Sequence, residues 1–227
     1  MAQSKETQEI KQFEKIESTL GKAELYIEKN QKKLTYIVGA ILLLVAAFMA
    51  YRNFVVTPRE SEAQNVIWQA QNAFAKDSFK IALYGNESVM GFSEIVDEYG
   101  STKAGNLARA YAGFCCIRLG EYENAIDYLE DFEVNDPIVM PLAKCAIGDA
   151  YTELGKYDKA VSNYLEAAKL SDHELTSPRF LMKAGLVYEK MNKKDKALDV
   201  YTQIKESYPT SNEATVIDKY ITRVSLK

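Results

Sequence analysis

One histidine, three cysteines, five prolines and one tryptophan in 227 residues leave this chain short of the side chains from which active sites are most often built. His173, the only imidazole, sits in the polar segment SDHELTSP with no serine or cysteine at a spacing that would pair a nucleophile with a base. Cys115 and Cys116 are neighbours, which on a helix point about 100° apart, and with Cys145 they complete no metal set. They read as small apolar residues buried on helices, with a bridge from Cys115 or Cys116 to Cys145 left open for an oxidising compartment. The phosphate loop, the dinucleotide fingerprint and the paired-histidine zinc motif are all missing. The expectation is a chain that is not an enzyme, with no catalytic residue, metal or cofactor.

An excess of positive charge is missing too. Residues 57–227 carry 20 Lys or Arg against 26 Asp or Glu, a net of −6. That balance argues against nucleic acid as a partner and against docking on anionic lipid. One stretch lacks charge altogether. LTYIVGAILLLVAAFMAY, from Leu34 to Tyr51, is 18 residues long, and Asn53 to Val56 extends the run to residue 56 if Arg52 snorkels toward the headgroups. As a helix, 34–56 spans roughly 30 Å, the thickness of a bilayer core. A cleaved signal peptide fits poorly, because 33 residues precede the run and Phe48 stands where a small residue would be needed. Lys15, Lys22, Lys29, Lys32 and Lys33 lie before the span against Arg52 and Arg59 after it, which places the 1–33 tail in the cytoplasm and the remainder outside. Within the tail, Ile10, Phe13, Ile16 and Leu20 fall at near-helical spacing, with Gly21 as a stop and Leu25, Tyr26 and Ile27 as a second apolar patch. An amphipathic helix and a solvated tether both fit.

The remainder repeats itself. Segments 106–137, 141–172 and 178–209 align, led by Gly113, Gly148 and Gly185, which are 35 and then 37 residues apart. Twelve residues after each glycine stands Ala125, Ala160 or Ala197, and four beyond that Leu129, Tyr164 or Tyr201. A helical hairpin has apolar faces it cannot bury alone, so neighbours stack, and the closest crossings admit only small residues. Gly120, Gly155 and Asn192 supply the positive φ that the turn between the helices requires. Pro137 and Pro209 are read as stops for the second helices of the outer copies. A period near 34 in the form helix, tight turn, helix resembles tetratricopeptide repeats. The fold class expected is therefore all-α: a single N-terminal transmembrane helix followed by an α-solenoid of such hairpins and a C-terminal capping helix.

Domain limits follow from the same pattern: a tail over 1–33, a span over 34–56 and a repeat domain over 57–227. The last contains a degenerate unit at 60–102, repeats at about 103–137, 138–172 and 175–209, and a cap at 212–226. In the degenerate unit a helix starting at Ser61 carries Ala63, Val66, Ile67, Ala70, Ala73 and Phe74 on one face. KIALYGNESVMG is read as an inserted loop or short helix, and GFSEIVDEYGST as the second helix. In the cap, Val216, Ile217, Tyr220, Ile221 and Val224 point inward. First helices of such arrays line a concave face, which by register presents Leu107, Phe114, Ile117 and Arg118, then Leu142, Cys145, Asp149 and Glu153, then Arg179, Met182, Leu186 and Glu189. An apolar groove of this kind suits an extended peptide or a partner helix. Packing of Phe114, Ile117 and Leu142 against the degenerate unit or the inserted loop is the competing reading of the same residues.

AELYIEKNQKK before the span, TPRESEAQ after it, and GFSEIVDEYGSTKAGNLARAYAGF ahead of three hairpins resemble the YfgM-like ancillary subunits of the bacterial Sec translocon. The resemblance implies a single-pass inner-membrane protein with a periplasmic repeat domain. It further implies association with the SecYEG channel, with a membrane-anchored peptidyl-prolyl isomerase of the PpiD type and with exported polypeptides. No catalytic residue is implied. An envelope scaffold for outer-membrane assembly or cell division uses the same anchor and groove and stays open as the alternative.

Overall fold

The computed structural model describes residues 29–226, which fall into two units, Met1–Pro58 and Arg59–Lys227. The amphipathic pattern from Ile10 to Ile27 lies outside the described residues.

In the first unit, α1 (29–51) is followed by a π-helical turn, Arg52–Val56. Its apolar side chains face outward all round: Leu43 is 73% and Phe54 77% exposed. A helix apolar on every side and uncovered by protein needs an apolar surrounding, and this one is long and apolar enough to cross a membrane. The π turn answers a local problem. Pro58 has no N–H to return to residue 54, and its ring crowds that carbonyl. One extra residue relieves the crowding: the Thr57 N–H bonds the Arg52 carbonyl five residues back, and the Thr57 hydroxyl donates to the same oxygen at 3.0 Å. Helical backbone therefore passes through Pro58, and α2 covers Thr57–Ala75 instead of starting at Ser61.

The second unit continues with α3 (Phe79–Tyr84), α4 (Phe92–Tyr99), α5 (Lys103–Leu119), α6 (Tyr122–Glu130), α7 (Val139–Glu153), α8 (Tyr157–Ser171), α9 (Ser177–Lys190), α10 (Lys194–Ser207) and α11 (Ile217–Ser225). No strand occurs among the described residues. The turns α5–α6, α7–α8 and α9–α10 are built alike. Gly120, Gly155 and Asn192 take φ of +80°, +70° and +56°. In each, the following N–H (Glu121, Lys156, Lys193) returns to the carbonyl five residues earlier (Cys116, Tyr151, Tyr188) at 2.8, 2.8 and 2.9 Å. That bond closes the helix end with its left-handed residue in place.

Packing within each hairpin also repeats. A Cβ placed on Gly148 would stand 2.6 Å from the Tyr164 ring, and Gly113 and Gly185 meet Leu129 and Tyr201 as closely. The bulky residue sixteen positions on thus fills the space the glycine leaves, while Ala125, Ala160 and Ala197 are fully buried beside it. Apolar residues form two clusters that adjoin along α5. One holds Ala63, Ile67, Phe92, Ile95 and Cys115 from α2 to α5; the other runs from Ala110 and Leu129 through Phe180 to Val224. In the first, Tyr111 stacks on Phe92 with centroids 5.0 Å apart and meets the edge of Phe74 at 5.2 Å.

Two segment ends differ from the sequence reading. Pro137 does not stop α6, which ends at Glu130. Phe132 turns into the core there, and Asn106 pins the outgoing strand of chain by donating to the Glu133 carbonyl at 2.7 Å and accepting its N–H at 3.2 Å. Before α11, residues 212–216 form turns, with the Ala214 N–H bonded to the Ser211 hydroxyl. Val216 is consequently 49% exposed, not inward, whereas Ile217 and Val224 are buried and Tyr220 and Ile221 pack on the core. Tyr208–Pro209 does coincide with the end of α10.

Candidate partner-binding groove

One hollow of about 620 Å³ gathers the same helix faces that repeat register selects. α5 contributes Phe114, Ile117 and Arg118; α7 contributes Leu142, Cys145, Ala146 and Asp149; α9 contributes Arg179, Phe180 and Lys183. Phe74, Asp77 and Phe79, from the end of α2 and the start of α3, wall off one end. Six of the register-selected candidates, Phe114, Ile117, Arg118, Leu142, Asp149 and Arg179, therefore share one cavity, and Cys145 joins them.

The other five do not line it. Leu107 and Leu186 are exposed on α5 and α9, Glu153 is exposed at the end of α7, and Met182 packs against the core. Glu189 is occupied: it accepts from the Tyr201 hydroxyl at 2.6 Å and from Arg223 Nε at 2.8 Å. α11 brings Arg223 over that position, so the cap consumes what would have been the third repeat's acidic contact. Burial works against the Glu189 charge, but the bonds from Arg223 and Tyr201 outweigh it and hold the carboxyl below its usual range.

Sequence register overlooked Lys183 and the end wall. Lys183 follows Arg179 by four residues, hence shares its helix face. Its Nζ lies 2.6 and 2.7 Å from the two Asp149 oxygens, joining α9 to α7, and the Tyr164 hydroxyl donates to Asp149 at 2.6 Å. Burial, then the Asp149 charge, pushes the Tyr164 phenol up. Phe79 and Asp77 had no signal, because α3 has no counterpart in the repeat. The Arg118 guanidinium sits 4.9 Å from the centre of the Phe79 ring. Among the described residues no carboxylate pairs with Arg118 or Arg179.

The three thiols are free and buried, and the bridge to Cys145 is not formed. Burial raises each to about 12. They are protonated and shielded at neutral pH, so a thiol reagent should modify none of them in the native chain and all three after denaturation. Rapid native modification of Cys145, counted by mass spectrometry, would show the groove floor to be more open than this. His173 shapes its loop: Nδ1 accepts from the Leu175 N–H at 3.1 Å and its own N–H bonds Ser177 Oγ at 2.9 Å.

Tetratricopeptide repeat profiles match residues 142–173 and 180–211, each spanning most of one hairpin, α7–α8 and α9–α10. The chain contains tetratricopeptide repeats. Such repeats bind protein partners and act as scaffolds, which gives this chain a protein–protein interaction role. The sequence matches no curated protein. Among solved structures it resembles BtubC (BKLC) from P. vanneervenii at 13% identity and a TM-score of 0.42, over 75% of this chain and 65% of that one. The chain thus spans about two thirds of that protein's length.

Proposed function

We propose that this is a non-catalytic, membrane-anchored adaptor in which residues 34–56 span the bacterial inner membrane and the groove between α5, α7 and α9 holds a protein partner. The observation that carries the reading is the groove itself. Phe114, Ile117 and Leu142 are left partly or fully open on one floor, beside guanidinium groups that no carboxylate neutralises among the described residues. A folded domain ordinarily covers such a combination unless a partner does so.

The finer assignment is an accessory subunit of the SecYEG translocon, receiving exported chains or holding a PpiD-type periplasmic isomerase. It is supported by the resemblance of the segments flanking the span and of Gly91 to Phe114 to YfgM-like subunits. Purification of the full chain in mild detergent, followed by mass spectrometry, tests it. SecYEG and an isomerase should co-purify, and replacing 34–56 with an unrelated span should weaken the channel while sparing the isomerase. Recovery of outer-membrane assembly or cell-division factors without any Sec component would favour the envelope scaffold.

Orientation has its own test. A reporter fused after Lys227 should be active only outside the cytoplasm and one at the N-terminus only inside, given the five Lys before the span against two Arg after it. The reverse pattern would remove the periplasmic assignment altogether.

A further inference from the structure

The groove's charge runs against that of the domain around it. Residues 57–227 have a net charge of −6, yet the groove gathers Arg118, Arg179 and Lys183 against only Asp77 and Asp149. Asp149 is already satisfied, because Lys183 reaches both of its oxygens and Tyr164 supplies a further bond. Lys183 and Asp149 therefore cancel, and what remains is the pair of arginines with Asp77, a net of one positive charge in a domain that is otherwise acidic. Arg118 comes from the last turn of α5 with its guanidinium carbon 4.9 Å from the centre of the Phe79 ring, and among the described residues no carboxylate takes up its N–H groups. Arg179 comes from the first turn of α9, where the aligned peptide dipoles add positive potential. Planar forks of this kind match carboxylates two bonds at a time.

Apolar side chains line the groove beside the arginines, Phe114, Ile117, Leu142 and Phe180 among them, with Phe74 and Phe79 at its walled end. A ligand made only of acidic residues would leave that end wet, and a purely apolar one would bury two guanidinium groups without counter-charge, at a high cost in desolvation.

Resting on the groove as the partner-binding surface, we propose that its occupant is an acidic segment with an apolar anchor. One aromatic or aliphatic side chain enters the end closed by Phe79, and flanking Asp or Glu carboxylates engage Arg118 and Arg179. A channel subunit, an isomerase or an exported chain would each have to display this chemistry in order to bind here.

The test uses the full chain in detergent micelles, with empty micelles as the blank, and three fluorescein-labelled dodecapeptides: alternating Phe and Glu, alternating Phe and Lys, and alternating Ser and Glu. Fluorescence anisotropy should show the Phe/Glu peptide binding at least about tenfold more tightly than either other peptide, and weakening as salt rises. Arg179→Glu should weaken it by about tenfold or more, with Arg179→Lys in between; Arg118→Gln provides the same reading should the Arg179 variant fail to fold. Exposed Lys156→Ala should change nothing. Equal or tighter binding of the Phe/Lys peptide, or no binding of the Phe/Glu peptide, overturns the proposal. If the Phe/Lys peptide binds and Phe114→Ala abolishes that binding, the groove remains the site and only its charge preference is wrong. If Phe/Glu binding ignores Phe114→Ala, Arg118→Gln and Arg179→Glu alike, the groove is not the site.

Discussion

Gly148→Leu should lower the melting temperature of the protein by about 2–12 °C. In the native fold the Tyr164 ring occupies the space above Gly148, so that even a Cβ would stand 2.6 Å from it. Tyr164 cannot simply swing away. Its hydroxyl is bonded to Asp149 at 2.6 Å and meets Thr152 at 3.1 Å, and its ring is buried. A leucine there must separate α7 from α8 or drive Tyr164 off its partners, and overpacking of this kind costs roughly 1–3 kcal/mol or more. A domain of this size loses about 2–4 °C per kcal/mol. Lys156→Ala, on the exposed side of the following turn, should stay within about 0.5 kcal/mol of the parent. Circular dichroism melts that coincide for the two variants would mean that Gly148 is not at a closest crossing.

The second large effect is on binding. Phe114→Ala with Arg179→Glu removes one aromatic side chain from the groove lining and reverses one of its positive charges. On the proposed translocon-accessory reading, the pair should leave SecYEG recovery largely intact while capture of the isomerase, or crosslinking to exported chains, falls by about thirtyfold or more, the size expected when central interface residues are lost. Phe114 also packs partly on the core. Arg179 is exposed, so Arg179→Glu alone should fold like the parent. The informative comparison is therefore between melting temperature and binding for each single variant. If binding declines only in proportion to lost folding, Phe114 acts as a core residue and the groove has no partner.

How much of this was readable in the sequence depended on whether repetition was at work. The glycine–bulky pairs and the three left-handed turn residues recur at fixed spacing because each hairpin solves the same packing problem, and the structure places Gly120, Gly155 and Asn192 at positive φ as the spacing requires. Half of the groove followed by the same logic, since Phe114, Asp149 and their neighbours sit at equivalent positions of α5 and α7. Local, unrepeated features were not legible. Nothing periodic announces that α3 closes the groove with Phe79, that α11 claims Glu189 through Arg223, or that a π turn carries helix past Pro58. Pro137 misled for the opposite reason: proline disfavours the interior of a helix, but Phe132 and the Asn106 bonds to Glu133 had already ended this one.

The most direct measurement is photocrosslinking in native membranes from a probe residue placed at Leu142, which is exposed and lines the groove. A second probe at Glu206, exposed on α10, serves as the comparison. The account predicts a discrete protein adduct from Leu142 that Arg179→Glu diminishes, and none of comparable yield from Glu206. An adduct from Glu206 with nothing from Leu142 would place the partner on the second-helix side and contradict the groove as the working surface.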